Sequence, residues 1–174
     1  WQDGSVKWAG FSALIPKGVN VTTLRAGYGK HVKHKLVNIS RKGIVVNTGD
    51  MEVLFPRHGN SFMDYIRYKG IKVADMGRVV ASTSLSSYKS VIDTSYIENN
   101  GDVRAVIRVN GHMVGDKESH MTLPFTLRFY LYYGSEQIKI QHSFVYDGNQ
   151  NRDFIKSLGL QFDVPFRETV YNRH

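Results

Sequence analysis

The stretch that decides the fold is LPFTLRFYLYYGSEQIKIQHSFVYDG, which runs from Leu123 to Gly148. Apolar side chains occupy every second position before Gly134 and again after Gln137, which is the period of strands that bury one face. Gly134 can take the positive φ that a tight reversal requires, and Ser135 is common in turns. We therefore predict a β-hairpin. The residues assigned to its buried face are Phe125, Leu127, Phe129, Leu131, Tyr133, Ile138, Ile140, His142, Phe144 and Tyr146.

The opposite face of this hairpin is polar and aromatic. It carries Arg128, Tyr130, Tyr132, Lys139 and Gln141. Two interpretations of this face stay open: a solvated surface, as in many antiparallel sheets, or a surface that contacts carbohydrate or another domain. The apolar face must be covered, and a second sheet is the expected cover.

The rest of the chain repeats the features of the hairpin. No segment keeps a helical periodicity, and turn-forming residues recur about every eight to fifteen positions, as in sandwiches and barrels. The sequences at residues 99–102 and 110–111 both predict turns. Between these turns, alternate positions are apolar and form a predicted strand. Its inward residues are Val103, Ala105, Ile107 and Val109, and its outward residues are Arg104, Val106 and Arg108.

These patterns predict an all-β protein with a partial small barrel followed by a large antiparallel β-sandwich. Strands become longer and hairpins more regular after residues 43–50, so we place a boundary there. The barrel-like piece then precedes this boundary, as residues 1–45, and the sandwich follows it, as residues 46–174. The chain opens with Trp1 and strand-like sequence rather than a basic segment and an apolar run, so we expect a fragment or a processed chain.

Composition narrows the classes of partner. The chain has 174 residues, no cysteine and a formal net charge of +8. Disulfides and thiolate chemistry are excluded, and no apolar run approaches the roughly 20 residues that span a membrane. The positive charge favours a polyanion: nucleic acid, uronic-acid polysaccharide or an anionic membrane surface. A loop at residues 26–35, rich in Gly, Lys and His, is either solvated or part of such a polyanion site.

The sequence contains few recognisable catalytic motifs. It has no Gly-x-Ser-x-Gly elbow, and its scattered acidic residues do not single out a glycosidase pair. His31 and His34 lie in one loop, and His112 and His120 flank another, but neither pair has the spacing or the carboxylates of a metal site. We therefore expect no metal, and we interpret His142 as a core or interface histidine.

One cluster brings together groups that can move protons and bind carboxylates. Tyr171, Asn172, Arg173 and His174 place a phenol, an amide, a guanidinium and an imidazole at the end of the sequence. We predict Tyr171 and His174 as catalytic residues and Arg173 and Asn172 as substrate-binding residues at a cleft edge. Arg57 and His58, in the turn after Pro56, are weaker candidates for substrate binding. An ordinary edge between domains is the alternative role for the whole cluster.

Several segments carry a family resemblance: DGSVKW (residues 3–8), VNTG (46–49), LPFTLR (123–128), and DFIKSLGL (153–160) through to NRH (172–174). In this order they resemble the exo-rhamnogalacturonan lyase, or YetA-like, family. The resemblance implies an N-terminal RIFT-type barrel, a central β-sandwich and a C-terminal α/α toroid. The toroid is missing from this chain, so the chain alone is expected to be inactive. It also implies a secreted or periplasmic protein.

The resemblance implies a polysaccharide lyase that cleaves acidic, uronate-containing glycans such as rhamnogalacturonan by β-elimination. His, Tyr and Arg can perform this chemistry without a cofactor. The partners expected are then an acidic polysaccharide and the toroid domain, with neither nucleic acid nor membrane. One alternative is a non-catalytic sandwich that binds carbohydrate or scaffolds a neighbouring domain. A basic nucleic-acid-binding β-barrel is a further alternative, disfavoured because the aromatic residues alternate into a predicted core.

Overall fold

The computed structural model describes residues 5, 10–15, 17–20, 23, 34–116 and 121–166. All regular structure in these ranges is β-strand, so the all-β prediction is confirmed, and none of the described segments is a helix that could cross a membrane. The strands are β1 Val37–Ser40, β2 Gly43–Asn47, β3 Met51–Phe55, β4 Met63–Tyr68, β5 Ile71–Thr83, β6 Ser87–Asn100, β7 Arg104–Gly115, β8 Phe125–Tyr132, β9 Ile138–Phe144 and β10 Ile155–Asp163.

The strands form one antiparallel meander. Each strand from β1 to β8 pairs with the next strand in the sequence, and β10 pairs with β5. Short turns join several of these pairs, including β1–β2, β4–β5 and β8–β9. Gly43, the first residue of β2, and Gly134, between β8 and β9, adopt positive φ, the latter at 70° as the hairpin sequence predicts.

The meander folds back on itself into two layers. Phe55 on β3 and Phe129 on β8 lie five strands apart in the sheet order, which would separate them by about 24 Å in a flat sheet. Their ring centroids are instead 4.9 Å apart, and Phe62 lies 5.4 Å from the same Phe129 ring. The apolar faces of the early and late strands therefore pack against each other, which is the arrangement of a sandwich.

The core between the layers follows the period-two pattern of the sequence. On β8 the burial alternates without a break, with Leu127, Phe129 and Leu131 fully buried and the residues between them half-buried. On β9 the same alternation is shallower: Ile138, Ile140 and His142 are only half-buried, because none of the strands that the structure describes lies beyond β9 at that edge of the meander. Phe144, the last residue of β9, and Tyr146, which lies beyond it, are 44% and 41% exposed, although the sequence predicts both as buried.

One predicted turn is wrong. The pair Asn110-Gly111 lies inside β7, where Gly111 is paired with Ile92 on one side and Phe125 on the other. The glycine is needed for close packing there rather than for a reversal, because a Cβ would lie 2.6 Å from the Phe125 ring. The turn predicted at residues 99–102 is confirmed, and Ala105, Ile107 and Val109 face inward as expected. Val106, predicted to face outward, is 5% exposed, since its ladder neighbours Asn99 and Tyr130 flank it.

Strand β5 spans both layers. Asp75 pairs with Tyr65 of β4 on one edge and with Asp163 of β10 on the other. Five residues later, Val80 pairs with Lys89 of β6 and, on the β10 side, with Gly159. Along one edge, β5 therefore passes from pairing with β4 to pairing with β6, whereas β10 pairs along its other edge. The division of the chain at about residue 45, and the barrel before it, stay predictions.

Candidate functional site

A cleft opens where β5 passes from β4 to β6. Strand β6 separates from β5 beyond Lys89, and Ile92 forms a bridge to Gly59 instead. The resulting space is about 720 Å³. We call it the seam cleft, and it is lined by Asn60, Met76, Arg78, Ser87, Lys89, Ser90, Val91, Val114, Gly115 and Asp116.

Buried Ser90 closes the floor of the seam cleft. At this point the edge of β5 that faces β6 has no backbone partner, and the Val79 amide donates to the Ser90 hydroxyl at 3.1 Å. The same hydroxyl donates to the Asn60 carbonyl at 3.3 Å. A side chain thereby satisfies the polar groups that the diverging strands leave unpaired, as buried backbone groups require.

A β-bulge shapes one wall of the cleft. Between the pairs Gln161–Arg78 and Asp163–Asp75, β5 contains one residue more than β10. Met76 lies in this bulge with a φ of 51°, a conformation that is costly for a residue with a side chain. Bulges are common beside active sites, where they redirect side chains.

Two cations line the seam cleft, and they differ in their partners. Arg78 Nη2 donates to both carboxylate oxygens of Asp163, at 2.8 and 3.0 Å. Lys89 is exposed, and no carboxylate among the described residues pairs with it. An unpaired ammonium beside a paired guanidinium can accept a bound anion, because only Arg78 already has its counter-ion.

A histidine–aspartate pair lies next to the seam cleft. His112 Nδ1 is 2.9 Å from Asp93 Oδ1, and both side chains are partly exposed. In the register of β6 and β7, His112 is the diagonal neighbour of Lys89 on the same face, with Cα atoms roughly 7–8 Å apart. A carboxylate on one imidazole nitrogen orients the ring and leaves the other nitrogen for proton transfer.

The outer face of β6 to β9 carries a second polar surface. Tyr96, Arg108, Arg128 and Gln141 are successive cross-strand partners in one row, and Tyr130 and Lys139 are partners in the next. Arg128 Nε donates to Glu98 Oε2 at 2.7 Å. We call this surface the basic–aromatic face, and it consists of Tyr96, Arg108, Arg128, Tyr130 and Lys139.

The site residues predicted from the sequence have different outcomes. Tyr171, Asn172, Arg173 and His174 lie outside the described residues, so their roles stay predictions. Arg57 and His58 occupy the exposed turn between β3 and β4, where the Arg57 carbonyl accepts the Ser95 amide at 3.0 Å. Neither side chain lines the seam cleft, although Asn60 follows close behind them.

The residues that sequence reasoning missed depend on strand register. Arg78 and Lys89 come together only because β5 and β6 pair before they diverge. Asp93 lies at a bulge in β6, between Ile92 and Thr94, and contacts His112 from there. The sequence gives no signal for that bulge. Among the described residues, no group of three or more His, Asp or Glu side chains is arranged to hold a metal ion.

Residues 36–174 match the family model of the PcRGLX-like protein central beta sandwich domain. The chain belongs to this PcRGLX-like family. The predicted resemblance to rhamnogalacturonan lyase-like proteins is therefore confirmed. The PcRGLX-like chain is also 28% identical over 188 residues to the uncharacterized protein YetA of Bacillus subtilis (strain 168). The alignment covers 100% of this chain and 22% of YetA, so the chain spans about a fifth of the length of that relative.

Proposed function

We propose that this chain is the β-sandwich part of a polysaccharide lyase that cleaves uronate-containing glycans, such as rhamnogalacturonan, by β-elimination. Its membership of the PcRGLX-like family is the observation that carries the proposal. The seam cleft supports it, because Lys89 is a cation without a carboxylate partner among the described residues. The net charge of +8 suits an anionic substrate.

The chemistry sets three requirements. A base removes the proton at C5 of the uronate, and the electron pair left behind forms the C4–C5 double bond. The bond from C4 to the leaving oxygen breaks, and that oxygen takes up a proton. A cation on the uronate carboxylate stabilises the charge that develops when C5 loses its proton.

Residues around the seam cleft can supply the base that removes the C5 proton and the cation that stabilises the carboxylate. Lys89 would neutralise the carboxylate, since it has no counter-ion of its own among the described residues. His112, oriented by Asp93 at 2.9 Å, would exchange the proton. Tyr171, Arg173 and His174 remain a second candidate set for the same roles, with Asn172 as a further substrate ligand.

The test uses the protein that contains this chain, with rhamnogalacturonan as substrate. An unsaturated product that absorbs in the ultraviolet identifies β-elimination. Turnover should fall by roughly a hundredfold or more in His112→Gln, the usual scale for a general acid or base. Lys89→Met should also lower it, whereas Lys42→Met, which removes an exposed cation in the turn between β1 and β2, should leave it unchanged.

The outcomes separate the reaction from the residues. Hydrolysis, or no product with any uronate-containing glycan, contradicts the lyase proposal. An unsaturated product with full turnover in both His112→Gln and Lys89→Met contradicts only the assignment of those residues. A roughly hundredfold loss in His174→Ala would then transfer the proton-moving role to the second candidate set.

A non-catalytic role is the second candidate function. The same exposed cations would bind an acidic glycan without cleaving it. The chain covers only 22% of YetA, so in this role any reaction would belong to other parts of a longer protein. Glycan binding without any unsaturated or hydrolysed product would favour this role. In either case, the partners proposed are an acidic polysaccharide and a C-terminal α/α toroid domain, and the proposed location is secreted or periplasmic.

A further inference from the structure

The basic–aromatic face holds an imbalance of charge. Arg108 on β7 and Arg128 on β8 are direct cross-strand partners, and like charges in such positions destabilise a sheet. Glu98 neutralises Arg128, with its carboxylate oxygens 2.7 and 3.1 Å from Arg128 Nε. Arg108 has no carboxylate partner in the part of the chain that the structure describes. One guanidinium is thus left without a counter-ion beside another.

The side chain of Arg108 is nevertheless held in place. Its Nε donates to Asn110 Oδ1 at 3.1 Å, and its Cζ lies 5.6 Å from the centre of the Tyr96 ring. Asn110 is itself fixed, because the Thr126 hydroxyl donates to the same oxygen at 3.0 Å. Only Nε is used in these contacts, so the two terminal nitrogens are left to donate as a fork, the geometry that matches a carboxylate.

A concavity of about 350 Å³ adjoins Arg108 on the same face. Its lining includes Asn110, Thr126 and Ser143, which are cross-strand neighbours on β7, β8 and β9. Amide and hydroxyl groups of this kind form hydrogen bonds with the hydroxyl groups of a sugar. Asp93 also lines the concavity, but its carboxylate is paired with His112.

The surface continues beyond Arg128 with an aromatic ring and another cation. Lys139 Nζ lies 5.4 Å from the centre of the Tyr130 ring, and the Tyr130 hydroxyl donates to Gln141 Oε1 at 3.2 Å. Tyrosine offers an apolar ring and a polar end, which suits the mixed surface of a pyranose. Cations, polar groups and aromatic rings therefore lie side by side on this face.

We propose that the basic–aromatic face binds acidic oligosaccharides, with a uronate carboxylate on Arg108 and the attached sugar ring in the adjoining concavity. This binding goes beyond the proposed lyase reaction, because it requires no bond cleavage. It also uses residues outside the seam cleft, since the two surfaces lie on opposite sides of the His112–Asp93 pair in the β6–β7 ladder. The basic–aromatic face would hold one part of an acidic glycan chain while another part of the same glycan is cleaved or bound elsewhere on the protein.

The test measures binding of trigalacturonic acid to the full chain by calorimetry. Arg108→Gln should weaken the affinity at least tenfold, and Arg108→Lys, which keeps the charge but loses the fork, should weaken it several-fold. Arg67→Gln is the matched control: it removes an exposed guanidinium on β4 and should leave the affinity unchanged. The fully methyl-esterified trisaccharide, which has no free carboxylate, should bind at least tenfold more weakly.

Several outcomes would overturn the inference. They are an absence of binding, equal affinity for the methyl ester, unchanged affinity in a folded Arg108→Lys protein, and tighter binding of single-stranded DNA of equal charge. Retention of the wild-type circular dichroism spectrum identifies the variants that fold. Because no turnover is measured, failure here leaves the lyase proposal standing, and failure of the lyase test leaves this one standing.

Discussion

Gly111 shows how strongly a single position in β7 is constrained. A Cβ at this glycine would lie 2.6 Å from Cζ of Phe125 and closer still to the carbonyl oxygen of Val91. The obstacle on one side is backbone, which cannot rotate away as a flexible side chain can. Glycine is therefore required here by lack of space, although Gly111 lies in the middle of a paired strand.

Gly111→Ala should destabilise the protein by about 1–3 kcal/mol, the usual cost of overpacking a filled core. Urea unfolding followed by circular dichroism would measure the loss. Gly159→Ala is the control, because a Cβ at Gly159 on β10 meets no atom within 4 Å. Equal stability of the two variants would show that β7 can move to accept the methyl group.

His142 is a second residue whose surroundings have a measurable consequence. Its ring lies among apolar neighbours, 6.0 Å from Phe125 and 5.8 Å from Phe144, and its Nε2 is buried without a hydrogen-bond partner among the described residues. This burial lowers the pKa of His142 below its ordinary value, because the charged imidazolium is poorly solvated there.

The lowered pKa of His142 predicts acid sensitivity. Below about pH 6.5, the ordinary pKa of histidine, the unfolded chain takes up a proton at this residue that the folded chain does not. Stability should therefore fall as the pH is lowered through 6.5, until the folded protein also becomes protonated. In His142→Phe the difference in unfolding free energy between pH 7.5 and pH 5.5 should be smaller than in the wild type. An unchanged difference would assign the acid sensitivity to other groups.

At the scale of elements, the segment before β8 depends on a carboxylate from beyond β9. Asp147 accepts the Thr122 amide at 3.0 Å, the Leu123 amide at 2.8 Å and the Thr122 hydroxyl at 2.5 Å. Leu123 has a φ of 41°, which is unfavourable for leucine. Burial acts to raise the pKa of Asp147, but the hydrogen bonds from Thr122 and Leu123 outweigh it and hold the pKa below its ordinary value.

Asp147→Ala should destabilise the protein by about 1–2 kcal/mol, because these donors lose a charged acceptor. The stabilisation by the ionised Asp147 carboxylate is fully present at pH values above the ordinary carboxyl pKa near 4. It is lost as the pH falls through the lower pKa that Asp147 has in the folded state. Urea unfolding at pH 7 measures the change. Asp50→Ala is the control. The Asp50 side chain is 61% exposed and its carboxylate makes a long, exposed ion pair with Lys69 at 3.7 Å, so its loss should change the free energy of unfolding by less than about 0.5 kcal/mol. Similar losses in both variants would contradict the anchoring role of Asp147.

The elements also show which features a sequence can predict. The β8–β9 hairpin follows from local alternation and from Gly134, so its strands, its turn and its inward residues could all be assigned. The passage of β5 from β4 to β6 could not, because it depends on which distant strands pair with each half of a 13-residue strand. The seam cleft results from that passage, and Asp93 of the His112–Asp93 pair lies at a bulge in β6. For this reason the sequence indicated the candidate site residues less well than the fold.

At the scale of the whole molecule, Phe129 connects the two layers. It is fully buried, and its ring contacts Phe55 of β3 and Phe62 of the segment before β4. Phe129→Ala should cost about 3–5 kcal/mol through lost contacts and the cavity that remains. Tyr130→Ala, the neighbouring residue on the outer face, should cost no more than about 1 kcal/mol. Urea unfolding of both variants measures the contrast, and equal losses would mean that the layers are held together elsewhere.

The pairing of β10 with β5 has a consequence for the order in which the molecule can assemble. The meander from β1 to β9 joins neighbours in the sequence, so each hairpin can form as soon as its second arm has left the ribosome. Strand β10 is different: Asp163 meets Arg78, 85 positions earlier. Until that last strand has been synthesised, β5 keeps an unpaired edge of backbone donors and acceptors, which is the type of surface that recruits a strand from another nascent chain. Translation of the segment after residue 154 therefore closes this edge of β5.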